Sequence, residues 1–133
     1  MNRPLAPPSG QPPPERAEGP GGDSIELRPL AEEICRRYRG EFADEQERYG
    51  DAGVAWCVHD NQHILNWAFL EQRGYVDLAE QLAWLARVLA ARDFPLERLA
   101  RNLEIAAEVV EAARGDGGTV AARLRESAAL TSP

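Results

Sequence analysis

Apolar residues recur along this chain at helical spacing, and the pattern starts only after residue 24. Leu30, Ile34, Tyr38 and Phe42 come every four residues, which predicts one apolar stripe on a first helix beginning near Pro29. Glu32, Glu33, Arg36 and Arg37 lie between them at spacings suited to i,i+4 ion pairs, as on a solvated face. Gly50 and Asp51 mark a stop or a break. A second helix covers VAWCVHDNQHILNWAFLE, residues 54–71, and ends before Gly74. Asp77 followed by Glu80 is a capping-box-like start for a third helix, whose stripe is Leu78, Leu82, Leu85 and Leu89. Its alanines widen that stripe, so this helix is expected to be largely buried. After the turn RDFP, Pro95 opens a fourth helix with Leu96, Leu99, Leu103, Ala106 and Val110 on one side. GDGG at 115–118 breaks the chain again, and Thr119 is placed to cap a last, alanine-faced helix.

No run alternates with the period of a strand. The expected fold is all-α: an antiparallel bundle of four main helices plus a short C-terminal helix, over residues 25–133. Residues 1–24 are rich in Pro and Gly and nearly devoid of large apolar side chains, so they are expected to form a disordered tail.

The second helix carries both histidines, one of two cysteines and two of three tryptophans. On a wheel of about 100° per residue, Trp56, Cys57, Ile64, Trp67 and Ala68 share one arc. Val58, Leu65 and Phe69 form a second, nearly opposite arc, while His59, Gln62 and Asn66 share a polar side. Asp60 breaks the pattern, because it falls in the middle of the tryptophan arc with His63 beside it. A carboxylate facing the core needs a partner. Candidates are His63, an indole N–H, a backbone group, or Arg87 or Arg92 of the third helix. Three readings follow. Asp60 fixes helix packing as a paired buried acid. Alternatively Trp56, Asp60, His63 and Trp67, with Trp84, line a small-molecule pocket, apolar walls around a few polar groups. Or His59 and His63, at i,i+4, share a metal ion.

The chain has 133 residues and a formal net charge of −7, with every basic side chain an arginine, which argues against nucleic acid as a partner. No leader-like segment or bilayer-length apolar run is present, so a cytoplasmic protein away from membranes is expected. Cys35 and Cys57 are read as free thiols in that setting. No phosphate loop, CxxC pair, HExxH or GxSxG occurs, and no Ser or Cys has a base beside it. No enzymatic role and no cofactor is expected.

Residues 76–103, VDLAEQLAWLARVLAARDFPLERLARNL, carry a Trp-Leu in mid-helix, then VLAAR, a short turn with Pro, then leucines four apart. Through Trp84, Leu85, Leu89, Arg92, Pro95, Leu99 and Leu103 this stretch resembles the helical module that precedes the cobalamin-binding domain in bacterial B12-dependent regulators. The likeness extends over roughly 55–105. It implies a helical bundle of regulatory type. The cobalt-ligating α/β domain of those regulators has no counterpart in the 133 residues, and Ile64 stands where the module's helix would carry its histidine. The expectation is therefore a non-enzymatic regulatory bundle that binds a protein partner or a second copy of itself. The alternative is a sensor of a small, tetrapyrrole-like molecule held around Asp60 between the second and third helices.

Overall fold

The computed structural model describes residues 12–131. A short hairpin, β1 (Arg16–Glu18) and β2 (Ser24–Glu26), leads into five helices: α1 (Leu27–Glu41), α2 (Glu45–Gln72), α3 (Leu78–Ala91), α4 (Leu96–Ala113) and α5 (Gly118–Thr131). The fold is the all-α bundle that the apolar spacing predicts. Two three-residue strands are too short to leave a period-two signature.

α1 buries Leu27, Ala31, Ile34, Cys35 and Tyr38, and its outer face pairs Glu33 with Arg37 at 2.7 Å. α2 is interrupted at Gly50, which sits at φ 64°, ψ −159°. That region is open to glycine and costly for other residues. Beyond the break each expected apolar arc is buried in part, through Ile64 and Ala68 on one and Leu65 and Phe69 on the other, while Trp56, Cys57, Val58 and Trp67 are half-buried.

α3 departs from expectation. Its core face is confined to Leu78, Leu82 and Leu85, while Ala83, Ala90 and Ala91 are exposed, so it lies at the periphery rather than inside. Alanine tolerates either environment and is a weak indicator of burial. The central helix is α4, buried through Leu99, Leu103, Ile105, Ala106, Val109 and Val110 and packed against α1, α3 and α5. α5 meets it through Val120, Ala121, Leu124 and Ala128. Thr119 is not a cap, because the helix has already begun at Gly118. The cap expected for α3 is present: the Asp77 side chain accepts from the Ala79 and Glu80 N–H groups.

The hairpin begins inside the stretch expected to be a disordered tail and ends just beyond it, at Glu26. The part of that tail at residues 1–11 falls outside the described residues. Residues 12–24 are held by contacts that composition does not show. Ile25 is buried, Gln62 Nε2 donates to Pro14 O at 3.0 Å, Glu18 meets Arg73 at 2.6 Å and Asp23 meets Arg114 at 3.0 Å. This cover also explains why His59 and Gln62, expected on the polar side of α2, are buried.

Glu71 joins three helices. From the last turn of α2 it takes a two-pronged pair from Arg123 of α5, at 2.7 and 3.0 Å, and accepts the Leu78 N–H that opens α3 at 2.8 Å. The Arg123 pair, supported by the Leu78 N–H, holds its carboxyl below the ordinary 4.5 against the opposing effect of burial. A carboxyl with a lower pKa folded than unfolded stabilises fully above about pH 4.5 and loses that contribution as pH falls through its folded value. Urea midpoints should therefore drop on acidification below pH 4.5. Glu71→Gln should cost about 1–2 kcal/mol at neutral pH and flatten part of the acid slope. An unchanged slope would show that Glu71 does not link the helices in this way.

Candidate functional site

The break at Gly50 sets the short segment 45–49 at an angle to the rest of α2. Tyr49 leaves that segment to face Phe94 and Trp56, with ring centroids 6.0 and 6.5 Å away. Gly53 makes room for it, since a Cβ at that position would stand 2.7 Å from Tyr49 Cβ. Peripheral α3 contributes Leu85 and Leu89, and Leu99 of α4 and Ile64 of α2 lie beneath them. The result is a part-open, mostly apolar cleft of about 140 Å³ among α1, α2, α3 and α4. Arg39, Asp60 and Arg92 are among its polar residues.

Asn61 and Asn102 also line the cleft, and their amides bond each other in both directions, at 3.1 and 2.8 Å. Asn61 Nδ2 further donates to Cys57 O at 3.0 Å. The Asn61 amide nitrogen lies 3.6 Å from both cysteine sulfurs. Those sulfurs form a Cys35–Cys57 disulfide, which corrects the expectation of free thiols. Packing of α1 along α2 brings the two Cα atoms to 5.9 Å, within the range a bridge spans. Composition suggested a compartment, but only tertiary structure reveals that proximity.

A polar corner completes the cleft. Tyr38 of α1 and Glu45 at the start of α2 line it, and Arg98 of α4 stands behind, 3.6 Å from Glu45 and 2.9 Å from Asp44. The Arg98 guanidinium covers the Phe42 ring at 4.5 Å. Burial, and after it the facing Glu45 carboxylate, pushes the Tyr38 phenol well above its ordinary value, so it stays protonated. Sequence reasoning missed this corner. Tyr38 reads as one member of an apolar stripe, and no spacing in the sequence singles out Glu45 or Arg98.

Of the residues expected around a pocket, Trp56 and Asp60 line the cleft, whereas His63, Trp67 and Trp84 do not. Trp67 and Trp84 pack against the core from its edge. His63 is buried with its ring 5.9 Å from Trp67 and 4.6 Å from His59. Asp60 has His59 beside it, with Nδ1 3.4 Å from Oδ1. Among the described residues no three His, Cys, Asp or Glu side chains converge as a metal site, so the His59 and His63 pair lacks the further ligands a closed site needs. Among them, too, no helix is long and apolar enough to cross a membrane.

No protein-family model, curated protein or solved structure matches the chain.

The disulfide closes a loop with a sequence separation of 22, so breaking it should lower the unfolding free energy by about 3 kcal/mol. Urea denaturation with and without a phosphine reductant checks this, alongside the Cys35→Ser/Cys57→Ser double variant. Identical midpoints would mean that the bond contributes nothing.

Proposed function

We propose that this chain is a non-enzymatic regulatory bundle that senses a small apolar molecule held in the cleft between α2 and α3. One observation carries the reading: a built cavity with apolar walls whose few polar groups converge from three helices. Its likeness over 76–103 to the helical module of B12-dependent regulators supports a regulatory setting. Volume sets the class of guest. A dry protein cavity of about 150 Å³ accepts benzene, and this cleft measures about 140 Å³. A tetrapyrrole is several times too large, so the guest proposed is a single ring. Val54, Tyr75 and Leu130 are the large apolar side chains exposed among the described residues. They sit on separate elements, which lends less support to a protein-docking face.

The sensor reading predicts that benzene at about ten times its Kd raises the melting temperature by about 4–6 °C. Leu89→Trp, which fills the cleft from α3, should melt cooperatively and lose the shift. A wild-type protein unmoved by benzene, or a variant that still responds fully, would sink the proposal.

A further inference from the structure

The disulfide between Cys35 and Cys57 meets the cleft at one end only. Cys35 is 3% exposed and does not line the cleft, whereas Cys57 is half-buried and does. Its neighbours on that wall are Trp56, Asn61 and Ile64. A solute that enters the cleft therefore meets the bond from its Cys57 side. Bridges that a reagent can reach are the labile ones, while those sealed in a core resist exchange.

Asn61 adds a second observation. Its amide is held between Asn102 and the Cys57 carbonyl, and its nitrogen stands 3.6 Å from both sulfurs. That places the positive end of an amide dipole beside the sulfur that takes up charge when the bond opens. The apolar walls and the volume of about 140 Å³ set the size and polarity of the guest. The disulfide sets its chemistry. Resting on the sensor reading, we propose that the guest is an uncharged apolar thiol of single-ring size, captured as a mixed disulfide on Cys57. The guest thiol gives up its proton, and its sulfur attacks Cys57 Sγ to form the new S–S bond. The Cys35–Cys57 bond breaks, and its electron pair leaves on Cys35 Sγ, which takes up one proton. The guest sulfur is oxidised and Cys35 is reduced, so no further oxidant or reductant enters. Capture also cuts the covalent tie between α1 and α2, which gives the sensor an output.

Incubating the oxidised full chain with phenylmethanethiol or with 2-mercaptoethanol, at equal thiolate concentration, tests this. An acid quench stops exchange, because the thiolate is the nucleophile, and intact mass then follows the adduct with time. Phenylmethanethiol should add once, at least about tenfold faster than 2-mercaptoethanol, as holding a ring in an apolar cleft allows. Peptic fragments should carry the added thiol on Cys57 and a free thiol on Cys35. Saturating benzene should slow the phenylmethanethiol reaction, and Leu89→Trp should remove the preference between the two thiols. If Leu89→Trp does not fold, the benzene competition decides. Equal rates for the two thiols would overturn the proposal, as would an adduct chiefly on Cys35, a rate indifferent to benzene, or no adduct at all. The benzene melting shift separates the two readings. Where benzene raises the melting temperature, any of these outcomes removes the thiol alone; where it does not, both fall.

Discussion

The bundle turns on two side-chain amides that face each other across its centre. Asn61 of α2 and Asn102 of α4 exchange hydrogen bonds in both directions, both almost entirely removed from solvent. A buried amide left without partners costs about 1–3 kcal/mol, so a slip of either helix would strand two such groups at once. Apolar packing alone tolerates a range of sliding, because one leucine fills a gap much like another. The amide pair narrows that range. With the neighbouring disulfide it ties α1, α2 and α4 into one frame. Everything that lines the cleft is placed relative to that frame.

The cleft sets a few polar side chains among apolar walls. Aromatic and aliphatic side chains come from the Gly50 break, from α3 and from the turn at Phe94. While Asp60 and Arg92 line the cleft farther along, Glu45 and Arg98 meet where α1 ends and α2 begins. Arg98 answers Asp44 and Glu45 there while stacking on Phe42, so one side chain from α4 closes the corner electrostatically and sterically. Elsewhere Arg–carboxylate pairs span helices at the surface, as Arg101 with Glu41 and Arg125 with Glu111. Exposed pairs of that kind contribute little each, and they set orientation more than stability.

Local signals in the sequence were the dependable ones. Asp77 caps α3 because a cap is decided within three residues, and Gly50 breaks α2 because the break needs only its own φ. The wheel also separated the two buried arcs of α2 and singled out Trp56 and Asp60. It could not tell which neighbour each part of an arc meets. Trp56 reaches the cleft, while Trp67, eleven residues on, packs elsewhere on the core. Asn61 and Asn102 are 41 residues apart, and Cys35 and Cys57 lie on different helices. No periodicity reports such pairings. The hairpin was hidden for a related reason: what orders it is supplied by Gln62, Arg73 and Arg114, none of them close by in the chain.

The link between Asp23 and Arg114 joins residues 91 apart in sequence. Closing so long a loop carries an entropic cost that is offset only once both ends are already in place. The α4–α5 pair, adjacent in sequence and the most extensively packed pair among the described elements, can form early and locally. The hairpin can dock only on a surface that α2, α4 and the turn before α5 have finished building. The chain's first described segment is therefore the last to assemble and the first to open. Its backbone amides should exchange with solvent sooner than those of the helical core it covers.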